Sequence, residues 1–253
     1  MARQSGIVKL KGSVGDLSFY KSIDGFVMRR AGGPDGERIK NAPQFARTRE
    51  NIAEFSRAGK AGKLLRSAFK SLLRNSADGR MTSRLTKVML TAIKADRMSN
   101  RGDRHLIAGE VMFLQGFEFN INASVSSLFH GPVVASIDRA AGKMSVVIPE
   151  FVPGNVVTAP SGATHCQFVV GGAEIDFSAE TYVARVLESE GVTLGPGVQR
   201  AIVLEIALTA GSVLPLFLVF GITFGQEVNG KMYAMQSGGV NALGVVKVEG
   251  AVR

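Results

Sequence analysis

The sequence predicts an α+β protein: an N-terminal β-hairpin arm and a basic helical region, followed by a C-terminal antiparallel β-sandwich of the immunoglobulin or fibronectin III kind. Three observations predict it. Apolar residues recur at helical spacing between residues 44 and 96 and at strand spacing on either side. Glycine is abundant, 30 residues against 8 prolines, and many stand singly between short apolar runs, as in turn-rich sheets. Charge is divided: residues 1–105 carry 23 Lys and Arg against 9 Asp and Glu, whereas 106–253 carry 7 against 12. The expected division is an arm and loop over 1–43, a basic helical region over 44–105 and a sandwich over 106–253. A hydrophobic content of 45% is enough for a real core.

The arm reads SGIVKLKGSVGDLSFYKSIDGFVMRRAGG over residues 5–33. Ile7, Val8 and Leu10 form one apolar run, Leu17, Phe19 and Tyr20 a second, and Phe26, Val27 and Met28 a third. Asp24-Gly25 between the last two is a hairpin signal, because its residues tolerate the backbone a tight turn demands. Two or three strands are expected, with Phe19, Tyr20, Phe26 and Met28 as the apolar anchors. A lone hairpin is marginal in water, so these strands have to complete a sheet, in their own subunit or on a neighbour. Residues 32–43 read as a loop.

From Gln44 to Leu73 the pattern is helical. Phe45, Ile52 and Phe55 mark one stripe; Leu64, Leu65, Phe69, Leu72 and Leu73 mark another. Gly59 and Gly62 predict a kink or break. A second helix is expected from about Arg80 to Asp96, with Arg84, Lys87 and Lys94 on its polar face. Strand signals follow within Val111 to Ile121, in a hairpin of Val133 to Asp138 and Met144 to Ile148, and at 164–170, 173–178, 181–187 and 200–208. Leu216 to Phe224 and Lys231 to Met235 flank Asn229-Gly230, the best type I′ turn signal in the chain. Leu243 to Glu249 reads as the last strand.

No catalytic constellation emerges, so the sequence is read as that of a non-enzyme. There is no GxxxxGK[ST] loop, no HExxH and no GxSxG. His105, His130 and His165 lie far apart, without zinc-ligand spacing. His165 and Cys166 are adjacent in a strand and should point to opposite faces, Cys166 buried and His165 exposed. Glu174 with Asp176, and Glu188 with Glu190, read as solvated strand-face pairs rather than glycosidase acids. No cofactor and no metal is expected. The single cysteine excludes an intramolecular disulfide. The longest apolar stretch, Val213 to Phe224, is shorter than the roughly 20 residues a spanning helix needs. With no conventional signal peptide recognised, the expected location is the cytoplasm or an assembled particle.

The basic helical region stands out. Arg47, Arg49, Arg57, Lys60, Lys63 and Arg66 are the candidates for contact with an anion or nucleic acid, since each can neutralise a phosphate and release a counterion. A solvated helix face is the commoner explanation of such a run. Aromatic residues are not interleaved as a stacking platform, and no helix-turn-helix or zinc-finger pattern is present. A third reading has this surface docking on the acidic half of the next subunit.

Gly12, Gly15, Phe19-Tyr20, Asp24-Gly25 and Arg29, then Arg47-Thr48-Arg49-Glu50-Asn51, Phe55 and the run from Ala58 to Lys63, resemble an uncharacterised protein family of Bacteroidota. Gln115-Gly116-Phe117 and the segment from Phe217 to Gly230 extend the resemblance over most of the chain. It implies no activity and no catalytic residues, only that the small-residue hairpin and the basic helix belong to one design. Together these readings favour a self-assembling structural protein, a filament, tube, lattice or shell, whose partners are other copies of itself. The alternative is a nucleic-acid-binding or packaging protein that uses the basic helix.

Overall fold

The computed structural model describes residues 2–30, 32–106, 110–235 and 239–252. Helices and antiparallel sheets are mixed, as expected for an α+β chain. The chain divides into two compact units, with the boundary between Arg49 and Glu50.

The first unit holds a four-stranded sheet. Its strands are β1 (Ala2–Arg3), β2 (Gly12–Val14), β3 (Leu17–Ser22) and β4 (Gly25–Arg30), in the order β1-β4-β3-β2. Gly15 turns β2 into β3 with φ 57°, and Gly25 opens β4 with φ 110°, a conformation L side chains rarely adopt. The expected strand through Ile7, Val8 and Leu10 does not form. That stretch is a loop closed by Gln4: the Leu10 N–H donates to Gln4 Oε1 (2.8 Å) and Gln4 Nε2 donates to the Leu10 carbonyl (3.2 Å). The region read as a loop contains a short helix, α1 (Gly36–Asn41), followed by a 3-10 turn at Pro43–Phe45.

Helix α2 (Ala46–Ala68) runs through Gly59 and Gly62 without a break. The break falls at Phe69, after which α3 (Lys70–Ser76) begins. Gly62 is buried against Leu85 and Met89, where an added Cβ would make ordinary van der Waals contact at 3.6 Å or more. Those two residues lie on α4 (Met81–Lys94), a helix close to its expected bounds. Of the two stripes on α2, only the one through Leu65 is buried; Ile52 and Phe55 are more than half exposed. The strand expected in Val111 to Ile121 is a 3-10 turn at Val111–Leu114, followed by a segment that hydrogen-bonds along a sheet edge.

Short helices α5 (Val125–Leu128) and α6 (Pro153–Val156) flank the hairpin of β5 (Val134–Asp138) and β6 (Lys143–Ile148). Then come β7 (His165–Asp176), β8 (Thr181–Glu188), β9 (Val192–Thr193) and β10 (Ile202–Ala207). The chain closes with β11 (Leu216–Val228), β12 (Lys231–Ala234) and β13 (Ala242–Glu249). Asn229 (φ 53°) and Gly230 (φ 75°) make the turn between β11 and β12 with positive φ at both positions, as type I′ requires. One sheet has the order β10-β6-β5; the larger has β12-β11-β7-β8, with β13 beside β11 and β9 beside β7.

Alternation along β7 and β11 makes the larger sheet the middle of three layers. Phe168, Val170, Leu218 and Phe220 pack with Met144, Val146, Leu204 and Ile206 of the smaller sheet. Val169, Ala173, Phe217 and Val219 pack with Leu65, Phe69, Leu85 and Met89 of the helices. The helices and the sheet therefore share one core.

The sequence predicts two strands, 164–170 and 173–178, parted at Gly171-Gly172. Strand β7 instead runs continuously through both, and the two glycines answer a packing demand on its two faces. A Cβ on Gly171 would lie 2.9 Å from the Phe69 ring, and one on Gly172 would lie 2.9 Å from Met144 Sδ. The α2–α3 break places Phe69 in the seat that Gly171 leaves. We expect Gly171→Ala to destabilise the protein by about 2 kcal/mol through overpacking, and Phe69→Ala by about 3–5 kcal/mol through the cavity it leaves. Denaturant unfolding of both variants and of the double variant checks the contact. The cost of Gly171→Ala should fall, without vanishing, once Phe69 is absent, because Val219 Cγ2 also lies 2.9 Å from the added Cβ.

Candidate assembly and anion-contact surfaces

The arm anchors are divided by the sheet that carries them. Phe19 pairs with Met28, and Phe26 with Lys21, so Phe19, Phe26 and Met28 share one face with Leu17 and Val14. Tyr20 pairs with Val27 on the opposite face. Val27 is the one buried residue among those described in this unit; Phe19, Tyr20, Phe26 and Met28 are half-buried. Cations sit over the rings: Lys11 and Lys21 Nζ lie 6.0 and 5.8 Å from the Phe26 centroid, and the Arg29 guanidinium 5.8 Å from that of Tyr20. The small sheet thus presents apolar rings rimmed by positive charge.

The six anion-contact candidates are not equivalent. Arg47 and Arg49 belong to the first unit. Arg49 is occupied: its Nη1 donates to the carbonyls of Ile39 (2.8 Å) and Ala42 (2.9 Å), which satisfies the end of α1. Arg57 Nη1 donates to the Arg104 carbonyl (3.0 Å), and Lys60 pairs with Glu180 (3.0 Å). These two line a cavity of ≈ 280 Å³ floored by Leu64, Ile93 and Phe177. Arg66 donates from Nε to the Gly62 carbonyl (3.2 Å) but also lines an open groove of ≈ 600 Å³ with Lys70 and Arg74. Lys63 is exposed on the same helix. Between residues 55 and 95 the sequence has 10 Lys and Arg and a single acid, Asp78.

That acid is committed inward. Asp78 accepts hydrogen bonds from the Ile121 N–H (3.0 Å) and the Arg80 N–H (2.6 Å) and is ion-paired with Arg84. Arg84 also donates to the Glu118 carbonyl (2.7 Å), so it does not belong with Lys87 and Lys94 on the solvated face of α4. Burial raises the Asp78 carboxyl, but the Ile121, Arg84 and Arg80 hydrogen bonds outweigh it, and the net shift is downward.

Sequence reasoning missed a second buried acid, Glu54. Its Oε1 accepts from the Gly102 N–H (2.9 Å), with Arg104 Nη1 at 4.0 Å. The signal was its place on the stripe Glu54, Ala58, Ala61, Leu65, where a carboxylate needs an internal partner. Asp96 does similar work, accepting from the N–H groups of Met98 and Ser99, and its carboxyl is held well below the ordinary range.

No family model matches this chain, and no curated protein matches it. A solved structure from work on pH-induced modulation of Streptococcus parasanguinis adhesion by Fap1 fimbriae aligns with 46% of this chain and 80% of its own, at 15% identity and a TM-score of 0.22. At that score the likeness carries no argument.

The remaining titratable candidates are placed as follows. Cys166 lies in the core between the sheets, and burial pushes its thiol up to about 12. His165 is half-buried rather than exposed, its ring nitrogens within 2.9 Å of Thr164 Oγ1 and 3.1 Å of Thr193 Oγ1. Glu174 is buried, not solvated, and accepts from the Thr209 hydroxyl. Asp176 caps the β7–β8 turn through the N–H groups of Ser178 and Ala179. Among the described residues no group of three His, Cys, Asp or Glu is placed to hold a metal ion, and no helix is long and apolar enough to cross a membrane.

A pH test follows from Asp78. Its folded carboxyl titrates below the ordinary 3.8, so it adds stability above that pH, which is lost as pH falls through the folded value. Asp78→Asn should cost about 2 kcal/mol at neutral pH. The gap to the parent protein should narrow below pH 3.8 in paired denaturant titrations.

Proposed function

We propose that this protein is a self-assembling structural protein, building a filament, tube, lattice or shell from copies of itself. The observation that carries the reading is the first unit. It contains four strands and a helix yet buries one described residue, Val27. A unit that small does not supply its own core, and oligomerisation is a standard remedy. Phe19, Phe26 and Met28 on one sheet face are the contacts we assign to a neighbouring copy, with Tyr20 working from the other face. The face-to-face packing of the two C-terminal sheets supports a sandwich, and we read it as immunoglobulin or fibronectin III-like. The likeness to the uncharacterised Bacteroidota family adds that the hairpin and the basic helix act as one design. The reading needs no catalytic site and no cofactor, and places the protein in the cytoplasm or in an assembled particle.

The charge of residues 55–95 favours a second reading, nucleic-acid binding or packaging. Lys63, Arg66, Lys70 and Arg74 have no acid opposite them among the described ion pairs. A polyanion backbone complements such a face.

Light scattering of the full chain separates the two. Phe19→Ser with Phe26→Ser should lower the particle mass without shifting the main thermal transition, and nuclease treatment should leave the parent particle unchanged. A purified protein that remains a single chain at high concentration overturns the assembly reading. If nucleic acid binds, changing Lys63, Arg66, Lys70 and Arg74 to Gln should flatten the logarithmic salt dependence by about 0.9 for each phosphate no longer neutralised. An unchanged slope removes the second reading.

A further inference from the structure

Strand β8 is hydrogen-bonded on one side only. It pairs with β7 from Asp176↔Thr181 to Val169↔Glu188 without a bulge, and no described residue pairs with its other side. Just beyond it, the Ser189 N–H donates to the Phe168 carbonyl (2.8 Å). That bond fixes the alternation of the ladder. Arg185 and Val183 turn their backbone groups toward β7, whereas Tyr182, Ala184 and Val186 turn theirs outward. Soluble proteins guard such edges with prolines, bulges, lysines or a covering segment. β8 carries no proline, bulge or lysine, although Arg185 and Glu188 are charged and β10 comes near it, and it exposes Tyr182, Val183, Val186 and Leu187 by 42, 43, 38 and 39%. The edge along β13 is treated differently: the N–H groups of Gly116 and Phe119 donate to the carbonyls of Val245 and Leu243 and cover it.

We propose that β8 is an interface with a second copy of this chain, the two strands pairing antiparallel about a two-fold axis at Ala184 to make one continuous sheet. The proposal rests on the assembly reading and gives it a defined contact. The strand's own sequence selects the occupant. A two-fold axis perpendicular to the sheet keeps each face with its like, so residues of the same parity have to meet. Centred on Ala184, Ala184 meets its own copy and Tyr182 meets Val186. These are the residues with outward N–H and C=O groups, and each pair exchanges two backbone hydrogen bonds. On the helix face an aromatic ring lies against a β-branched side chain, a favourable cross-strand pair. On the other face Val183 lies against the aliphatic stem of Arg185. Centring on Arg185 would oppose two guanidinium groups. Centring on Val183 would set Val186 against Glu180, whose φ of 54° leaves the strand conformation. In the Ala184 register Glu188 falls opposite Glu180, at the exposed ends where screening is strongest.

The test uses the full chain carrying Ala184→Cys, with Val183→Cys as the control and mild oxidation as the trigger. Directly opposed residues in a hydrogen-bonded pair lie about 5.5 Å apart between Cα atoms, within disulfide reach. Cys166 is buried and its high thiol pKa keeps it silent. Ala184→Cys should form a covalent dimer at least tenfold faster than Val183→Cys, and Val186→Lys should lower the sedimentation mass of the native protein while its melting temperature stays put. If the parent protein sediments as a single chain at every concentration, this inference and the assembly reading both fall. If it assembles, yet Ala184→Cys cross-links no faster than Val183→Cys and Val186→Lys leaves the mass unchanged, the β8 pairing alone falls.

Discussion

A strand covered on both faces has to reconcile two independent packings, and the larger unit depends on how β7 does so. Toward the helices it meets the Phe69 ring; toward the smaller sheet it meets Met144. Two consecutive glycines leave room for both contacts. Gly171 lets the ring reach the strand backbone, and Phe69 in turn sits at the one interruption between α2 and α3. The helical layer is therefore registered on the sheet by one aromatic residue in a glycine seat. Gly221 on β11 answers a different demand, a close approach of the neighbouring strand within the same sheet, where an added Cβ would lie 2.3 Å from the Ala242 carbonyl oxygen. Such seats lower strand propensity locally, and burial on both sides offsets the loss.

The basic half of the chain commits part of its charge to structure. Arg49 ends a helix, Arg84 ties the α3–α4 connection to Glu118 and Phe119, and Arg104 lies near the buried Glu54. In the other half Arg139 does comparable work, donating to the carbonyls of Ser212, Leu214 and Gly250. What remains on the helices is a set of cations with few acids near them. Net charge alone does not separate these two populations; hydrogen-bond partners do.

Much of the architecture was legible because it is local. The I′ turn at Asn229-Gly230 and the hairpin of β5 and β6 are written in neighbouring residues, and they form where their chemistry places them. The misreadings share a cause. Gly171-Gly172 read as a break because glycine's backbone freedom is visible in sequence and its packing role is not, and Gly59 and Gly62 read as one although α2 absorbs both within its hydrogen-bonded turns. Ile7, Val8 and Leu10 have strand composition, but the Gln4 side chain takes the hydrogen bonds a ladder would need. Residues 111–121 alternate like a strand and instead make a turn and an edge cover. The basic candidates are identified in sequence by type alone, so the occupied Arg49 and the exposed Lys63 look the same. The segment 181–187 reads as a strand and forms one; that it lies at a rim is a property of topology, which no local pattern carries.

The segment covering β13 has a stoichiometric consequence. Gly116 to Phe119 seals the sheet along Leu243 and Val245, and among the described residues only the four-residue β12 also stands on that side of β11. A sheet that accepts a neighbour along one margin and refuses it along the other reaches saturation after a single addition. Pairing through β8, as proposed, would accordingly add one neighbour to the larger sheet and stop, and any open-ended array would have to be propagated by a second, geometrically independent contact. The protein would then be built as a dimeric brick with separate mortar, and runaway strand addition along the β13 side of the larger sheet would be blocked by one short run of hydrogen bonds.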